Sequence, residues 1–445
     1  MSNENFDDRL ARLYATDPEF AAARPDPAVV AAVNEPGLTL PDIVRTVLTG
    51  YADRPALGAR AVEFVTDETG RTVAELQPRF ETITHGQLWE RVRRVADAWR
   101  ANPVHPGDRV ALLGFTSVDY TVVDIALTQL GAVSVPLQTS VSAAALAPIV
   151  AETEPVLIAA SIDYLDDAVE LALGSDVVRL AVFDYRPQVD DQRDALVVAT
   201  ARLGDRVTIE TLDDLLVRPA STVEPVAVQE ESDPLSLLIY TSGSTGAPKG
   251  AMYPASKVAD IWRPAANSHW DESQGVVPSV VLSFMPMSHV MGRGILYSAL
   301  ASGGSVNFAA RADLSTFLED LALTRPTQLN FVPRIWDMLF GEYQSRIAHT
   351  GATDAEKEAV LADMRQNLLG GRFVSALTGS APISPELKAW VEKLLDMHLL
   401  EGYGLDRGRR GVRGRQDRSA AGAGVQAGRR ARTRLPPDRP PAPAR

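Results

Sequence analysis

The sequence predicts an α/β fold with mostly parallel sheets, on three observations. Short apolar runs alternate with longer amphipathic segments from about Asp108 to Asp184, which is the pattern of βαβ units. The same alternation returns after Asp233. The chain of 445 residues also exceeds what one hydrophobic core usually holds. We therefore expect a large region built from two α/β subdomains.

In the first part, strand and helix candidates follow one another along the chain. The strands are short apolar runs and the helices are longer segments with one apolar face, which predicts a parallel sheet covered by helices. Strands are predicted at Arg109–Gly114, Ala132–Pro136 and Pro155–Ala159, and helices at Val118–Leu130, Ala143–Glu152 and Asp163–Leu173.

The second part repeats this organisation. A division near Ala220–Asp233 would separate subdomains at about 50–220 and 233–404 within a folded region of 1–404. Here strands are predicted at Leu235–Tyr240, Ser279–Phe284, Gln328–Val332 and Arg372–Leu377, and helices at Leu314–Thr324 and Asp354–Gly370.

Composition excludes several classes of protein. With no cysteine, the fold can use neither disulfides nor thiolate-bound zinc, which fits a cytoplasmic location. Residues 1–20 lack the apolar stretch of a signal peptide, and no run of about 18 apolar residues predicts a membrane span. Residues 1–406 carry a net charge of -23, and this acidic body argues against nucleic acid as a partner.

The strongest chemical signal is the segment from Leu238 to Gly250. An apolar strand candidate runs into glycines and hydroxyl residues that end at Pro248-Lys249-Gly250. Glycines let the backbone approach phosphate, hydroxyls donate hydrogen bonds and a lysine adds positive charge. We predict a phosphate-binding loop formed by Thr241, Ser242, Gly243, Ser244, Thr245, Gly246 and Lys249.

Two common phosphate motifs do not match this loop. Lys249 follows proline and no Ser or Thr comes after it, so the segment is not a Walker A loop, and its glycine spacing is not that of G-x-G-x-x-G. A Ser/Gly-rich surface turn is the alternative interpretation. It is less favoured because so many small residues follow a buried strand candidate directly.

The loop resembles the signature of the adenylate-forming superfamily. Members of that superfamily convert a carboxylate and ATP into an acyl adenylate and pyrophosphate. Further segments resemble it in the same chain order: Leu130–Pro136, Phe284–His289, Thr378–Pro382 and Leu400–Gly404.

Within the superfamily, the sequence is similar to the adenylation domain of carboxylic acid reductases. The resemblance covers residues from about 5 to 404 and implies the large lobe of that domain, with fatty-acid–CoA ligases as the close alternative. It is carried by Arg9–Tyr14, Leu137–Ser140, Ala251–Pro254, Met287–Arg293 and Phe331–Met338.

The resemblance implies catalytic roles for three residues. The loop would hold the β- and γ-phosphates of ATP, with Thr245 and Lys249 taking part in catalysis. His289 resembles the histidine beside the acyl carboxylate and the α-phosphate. An imidazole can donate to a developing oxyanion, where one well-placed donor is worth about 3 kcal/mol. Taken alone, such a histidine is more often structural.

Two later segments resemble those that contact the adenylate. The first, formed by residues 379–381, would line the adenine and the acyl channel, although a strand-to-helix connection explains the same residues. The second would supply backbone contacts and a tyrosine stacked on adenine, although that tyrosine could equally be part of the core. The segments are Gly379, Ser380 and Ala381, and Glu401, Gly402, Tyr403 and Gly404.

Apolar residues and glycines near the expected channel end favour an aromatic or fatty acid as the substrate. Packing on a helix face explains Trp336 and Met338 nearly as well. The pocket candidates are Phe284, Met287, Gly303, Gly304, Trp336 and Met338.

The resemblance stops after Gly404. The family continues with a variable residue, Thr and a magnesium-linked Glu, whereas this chain reads Leu405-Asp406-Arg407. ATP and Mg²⁺ are the implied cofactors, and no metal ligand is assigned. We expect the small C-terminal lobe with its lysine to be absent, together with the phosphopantetheine carrier and NADPH-binding domains of complete reductases. Weak or no adenylation is expected, with a remnant that only binds nucleotide as the alternative.

Residues 405–445 form an Arg/Gly/Pro-rich tail with a different composition. From Arg407 onward there are twelve arginines and two aspartates, and few apolar residues remain to drive folding, so disorder is predicted. One extra G in codons for Leu-Thr-Glu-Ala-Gly would produce the string from Leu405 to Arg409, which suggests a shifted reading frame. An RNA-binding arm is the less favoured alternative, because interleaved aromatic residues are missing.

Overall fold

The computed structural model describes residues 6–102, 104–218, 233–242, 248–263, 277–348, 353–405 and 409–413. Four helices precede the first strand along the chain. Each of the second, third and fourth helices has proline at its start and an Asp or Thr side chain that accepts a backbone N–H there. They are α1 (Phe6–Thr16), α2 (Pro18–Ala22), α3 (Pro27–Val33) and α4 (Leu40–Gly50).

A seven-stranded sheet forms the centre of the described chain. Its order is β7-β6-β5-β3-β4-β8-β9, and only β9 runs antiparallel to its neighbour. The strands are β3 (Arg109–Leu113), β4 (Val133–Pro136), β5 (Leu157–Ser161), β6 (Arg179–Phe183), β7 (Thr208–Thr211), β8 (Leu235–Ser242) and β9 (Pro248–Pro254).

Helices cover both faces of this sheet, so β3 to β6 are buried almost throughout. Two clusters of apolar side chains lie against the sheet, one containing Leu112 and the other Ile158. The helices are α5 (His85–Ala101), α6 (Val118–Leu130), α7 (Ala143–Thr153), α8 (Leu165–Leu173), α9 (Asp190–Leu203) and α10 (Leu212–Leu216).

A second sheet joins strands that are far apart in sequence. Its order is β10-β11-β1-β2, with β11 parallel to both β10 and β1, and β2 antiparallel to β1. The strands are β1 (Pro55–Thr66), β2 (Thr72–Thr84), β10 (Val280–Ser283) and β11 (Ser305–Phe308), and the nearby helices are α11 (Ala255–Ile261) and α12 (Val290–Ala301).

A third sheet has the order β12-β13-β14-β15, and a third apolar cluster packs on it. Its first three strands are parallel, and β15 runs antiparallel to β14. The strands are β12 (Gln328–Phe331), β13 (Ser375–Thr378), β14 (Leu400–Leu405) and β15 (Arg409–Arg413), and the helices are α13 (Phe317–Thr324), α14 (Pro333–Ala348), α15 (Asp354–Asp363) and α16 (Pro385–Leu395).

The predicted fold class is confirmed, but the sheets do not follow the predicted division near 220–233. Strands β8 and β9 complete the sheet that β3 begins, and β1 pairs with β11. Hydrophobic periodicity identifies elements along the chain, whereas the partner of a strand depends on contacts far away in sequence. The subdomain boundary itself stays a prediction.

The structure describes a short strand at the start of the predicted tail, and the disorder of the tail stays a prediction. Leu405 ends β14, and Arg409–Arg413 pair with it as an edge strand. The prediction rested on the shortage of apolar side chains, yet strand pairing uses backbone N–H and C=O groups that every residue here carries. Residues 406–408 and 414–445 lie outside the described residues. In the described part, no helix is both long and apolar enough to cross a membrane.

Candidate functional site

The predicted phosphate loop begins and ends on one antiparallel hairpin. Strand β8 carries Thr241 and Ser242 and β9 carries Lys249, with Thr241 directly opposite Lys249 in the register. The Lys249 side chain is exposed. Gly243, Ser244, Thr245 and Gly246 lie outside the described residues. The hairpin therefore fixes both ends of the loop side by side, and the loop's contacts remain a prediction.

His289 occupies the N-cap position of α12 and is half-buried. Its ring Nδ1 accepts the backbone N–H of Met291 at 3.1 Å. A neutral imidazole has one acceptor and one donor nitrogen, so this bond places the ring proton on Nε2. His289 can thus offer an N–H to an anion while its other nitrogen stays bound to the helix.

The turn before α12 is held tightly against the helix. The His289 N–H donates to Pro286 O at 3.0 Å, and Arg293 Nε donates to Met287 O at 2.7 Å. A Cβ on Gly292 would lie 2.5 Å from Pro286 O, closer than real contacts allow. Glycine at this position lets the helix approach the turn, which fixes where His289 starts.

The turn after β13 carries Gly379, Ser380 and Ala381. Gly379 is buried, and Ser380 has a left-handed backbone with φ of 67°. The predicted helix start is confirmed, because Ser384 Oγ accepts the N–H of Leu387 at 3.2 Å to begin α16. A strand-to-helix connection is therefore present, and its predicted role at the nucleotide is untested.

The structure brings the His289 turn and this second turn together through Met291. The Met291 backbone binds His289, and its Cε lies 3.2 Å from the position a Cβ on Gly379 would take. The carbonyl oxygen of Gly402 lies at the same distance from that position. Both turns follow the carboxyl ends of parallel strands, where α/β folds commonly bind ligands.

Strand β14 contains the last predicted site segment. Glu401 lies opposite Thr378 in the register and pairs with Lys388 Nζ at 2.5 Å. Tyr403 and Gly404 lie in β14, opposite Gly411 and Arg410 of β15. The predicted stacking of Tyr403 on adenine stays a prediction.

Two of the pocket candidates belong to a packed aromatic core. The ring of Phe284 meets Phe317 and Phe331 edge-to-face at 5.0 and 6.0 Å, and Trp336 lies 5.0 Å from Phe331. A cavity of about 10 Å³ beside Phe284 and Asn330 has room for about one water molecule. Phe284 therefore lines only this small cavity, and Trp336 is packed in the aromatic core.

Gly303 and Gly304 lie at the opposite end of strands β10 and β11 from Phe284. Gly303 and Gly304 precede β11, whereas Phe284 follows β10, and the two strands are parallel. A Cβ on Gly303 would lie 2.5 Å from the Tyr51 ring, and one on Gly304 would lie 1.8 Å from Ser279 O. Close packing therefore explains both glycines, and the structure does not bring them to Phe284.

The remaining two pocket candidates lie in different apolar clusters. Met287 is buried in the cluster that contains Leu112, and Met338 is half-buried against the cluster of the third sheet. A separate open cavity of about 720 Å³ lies between α4, the end of α6 and α11. None of the predicted site residues lines it.

Sequence reasoning missed the residues that support His289. Arg293 ends the segment Met287–Arg293, and Asp124 lies in a helix between apolar residues at 122–123 and 125–127. Both side chains are 3% exposed and bind each other. The available signal is the charge itself, because an ionised side chain inside an apolar run needs a buried partner.

The described residues contain no cluster of three or more His, Asp or Glu side chains that could hold a metal ion. Glu401 is the carboxylate of β14, and it is paired with Lys388. The magnesium ion that the resemblance implies is therefore assigned to no residue.

Comparison with known proteins gives consistent results. A model of the AMP-binding enzyme family matches residues 52–405. A carboxylic acid reductase of Mycobacterium tuberculosis is 56% identical over 411 residues, which are 91% of this chain and 35% of that protein. The chain thus spans about a third of the length of such curated relatives. A long-chain-fatty-acid–CoA ligase of the same organism is more distant, at 25% identity over 73% of the chain.

Comparison with solved structures agrees with the sequence comparison. The adenylation domain of the Segniliparus rugosus carboxylic acid reductase, in complex with AMP and a co-purified carboxylic acid, matches with a TM-score of 0.85 and 45% identity. The match covers 90% of this chain and 65% of that one.

Proposed function

The chain belongs to the AMP-binding enzyme family and is homologous to the adenylation domains of carboxylic acid reductases, and from this membership we propose that it joins a carboxylic acid to AMP. One oxygen of the carboxylate attacks the α-phosphorus of ATP. The bond from that phosphorus to the bridging oxygen breaks, and pyrophosphate leaves with the electron pair. The products are an acyl adenylate and pyrophosphate, and no net proton transfer is required.

One observation carries the proposal: Met291, whose backbone binds His289, and the carbonyl of Gly402 both lie against Gly379 at the carboxyl ends of parallel strands. The reaction brings two anions together, so catalysis depends mainly on position and on hydrogen-bond donors. His289 would donate its Nε2–H to the acid or the α-phosphate. The backbone around Gly379 and Gly402 would lie along the adenylate.

The hairpin β8–β9 would hold the other end of the nucleotide. Lys249, opposite Thr241, would supply positive charge to the β- and γ-phosphates together with the hydroxyls of the loop between them. The acid is proposed to be apolar, aromatic or fatty. The Segniliparus rugosus domain, which has AMP and a carboxylic acid bound, supports this pair of ligands.

Binding of ATP and AMP by isothermal titration calorimetry tests the phosphate assignment. Lys249→Ala should weaken ATP binding by roughly ten- to a hundredfold, because a charge-assisted hydrogen bond contributes about 1.5–3 kcal/mol. AMP lacks the β- and γ-phosphates, so its affinity should hardly change. Lys257→Ala is the matched control, since Lys257 is an exposed lysine of α11.

Acid-dependent ATP–pyrophosphate exchange tests the chemistry itself. A lower rate of exchange with benzoate or a fatty acid in His289→Gln than in the wild type would support adenylation. A wild-type chain that binds ATP without exchange would favour the alternative of a nucleotide-binding remnant. A folded chain that binds neither nucleotide would contradict the proposal.

A further inference from the structure

A buried polar network connects the His289 turn to the central sheet. Arg293 of α12 donates from Nη1 to Asp124 Oδ2 at 2.6 Å and from Nη2 to Asp124 Oδ1 at 2.8 Å. Arg293 Nη2 also donates to Ser134 Oγ at 3.1 Å, and Ser134 Oγ donates to Asp124 Oδ1 at 2.6 Å. The Tyr297 hydroxyl completes the network by donating to Asp124 Oδ2.

Every acceptor site of the Asp124 carboxylate is used in this network. It accepts from two guanidinium nitrogens, one serine and one tyrosine, which matches its roughly four lone-pair sites. Burial by itself would raise the pKa of Asp124, but the adjacent Arg293 guanidinium holds that pKa below its usual range. The pair is therefore ionised and fully satisfied.

Stability alone is a weak explanation for such a pair. Removing two charges from water costs several kcal/mol per ion, and well-packed apolar side chains of similar volume often replace a buried ion pair without loss. What apolar side chains cannot reproduce is the set of directed hydrogen bonds. The network therefore indicates that α12 must be held in a defined position relative to α6 and β4.

The bonds of Arg293 reach the residues that fix His289. Its Nε donates to Met287 O at 2.7 Å, two residues before the histidine, and its backbone N–H donates to His289 O at 3.3 Å. One side chain thus holds the entry to α12 and an aspartate of α6 at the same time.

The other end of the network leads toward the phosphate hairpin. Ser134 lies in β4 and is opposite Leu237 in the neighbouring strand β8. Strand β8 runs on to Thr241, which faces Lys249. The path from His289 through Arg293, Asp124 and Ser134 therefore ends on β4, which is the neighbour of the strand that leads into the predicted phosphate loop.

We propose that Arg293, held by Asp124 and Ser134, is a positioning residue that sets His289 relative to the Thr241–Lys249 hairpin. The inference rests on the proposed function, in which the histidine meets the α-phosphate and the hairpin meets the β- and γ-phosphates. Arg293 itself touches neither ligand. It keeps the two groups at the separation that one triphosphate requires.

The test compares apolar replacement of this pair with apolar replacement of another buried pair. Arg293→Met/Asp124→Leu removes the network while keeping its volume. The matched control is Arg60→Met/Asp320→Leu, because Arg60 Nη1 donates to Asp320 Oδ1 at 2.6 Å with side chains 2% and 0% exposed. That pair joins β1 to α13, and its other hydrogen bonds are made with Gln77, Glu319, Ala310 and Thr316 rather than with the His289 turn.

Nitrogen NMR of the His289 ring gives a readout that does not need turnover. His289→Gln identifies the resonances. In the wild type and in the control, Nδ1 should appear as the acceptor and Nε2 as the protonated nitrogen. In Arg293→Met/Asp124→Leu the two tautomers should mix. Arg293→Lys, which keeps the charge and loses the paired geometry, should give an intermediate spectrum.

Exchange kinetics provide the second readout. The kcat of acid-dependent exchange should fall about ten- to a hundredfold in Arg293→Met/Asp124→Leu, as expected for a displacement near 1 Å, with little change in KM for ATP. The control should keep the wild-type kcat.

A folded Arg293→Met/Asp124→Leu variant with an unchanged His289 spectrum and unchanged kcat would overturn the inference. If that variant does not fold, the same result for Arg293→Lys would overturn it. Absence of ATP binding by the wild type would instead count against the proposed function, because the ring tautomer can still be measured there.

Discussion

The seven-stranded sheet and the sheet β12–β15 reach stability by different means. Strands β3 to β6 are buried almost throughout, with apolar clusters on both faces of the sheet. The third sheet ends in β15, whose sequence Arg409-Arg-Gly-Val-Arg413 supplies one larger apolar side chain. The difference shows that apolar burial specifies the first sheet, whereas the last strand of the other is described by its pairing with β14.

The proposed site draws on both kinds of structure. His289 is tied to the buried sheet through Arg293 and Asp124, whereas Glu401 lies next to the outermost strand and is paired with the half-buried Lys388. The two halves of the site should therefore respond differently to substitution. Measurements of the free energy of unfolding test this difference.

The largest effect is expected in the central sheet. Leu112 of β3 is 0% exposed, and Leu112→Ala should lower the free energy of unfolding by about 2–5 kcal/mol, because it removes buried apolar surface and leaves a cavity. Urea denaturation measures the change. Val197→Ala is the control, since Val197 is 68% exposed and its loss should change stability by less than about 0.5 kcal/mol. Equal effects at both positions would refute the contrast.

A smaller, pH-dependent effect is expected at His85, a polar residue packed beside that core. Burial lowers the pKa of His85 to about 4, while Nδ1 lies 3.2 Å from Arg54 O. Between pH 6.5 and about 4, the unfolded chain binds a proton that the folded chain does not. Stability should therefore fall as pH falls, by up to about 1.4 kcal/mol per pH unit.

Comparison of the wild type with His85→Gln isolates this contribution. Glutamine keeps a hydrogen-bond donor but does not titrate in this range. The stability of the variant should depend less on pH between 6.5 and about 4, as measured by urea denaturation at several pH values. Identical slopes in the two proteins would show that His85 is not the titrating group.

The smallest effect is expected at β14. The Lys388 and Glu401 side chains are 30% and 43% exposed, and partly exposed ion pairs contribute about 0–1 kcal/mol. A double-mutant cycle of Lys388→Ala and Glu401→Gln should give a coupling energy within that range. A coupling of several kcal/mol would mean that the third sheet depends on this pair far more than its exposure suggests.

The sequence predicts local elements well and their partners poorly. Helix α6 has the predicted bounds Val118–Leu130, because a serine N-cap and a glycine C-cap enclose an apolar stretch. Strand β9 was not predicted, since Pro248 to Pro254 shows no apolar alternation and is set by pairing with β8. The Arg293–Asp124 bond joins residues 169 positions apart, and no local pattern identifies such a partner.

The pairing of β1 with β11 has a consequence for how the chain folds. Gly58 meets Asn307, so about 250 residues must be synthesised before the partner strand exists. At about 5–20 residues per second, the edge of the β1–β2 hairpin waits on the order of ten seconds or more on the ribosome. During that interval the edge is open to other chains, and a factor that binds nascent chains would find its target there.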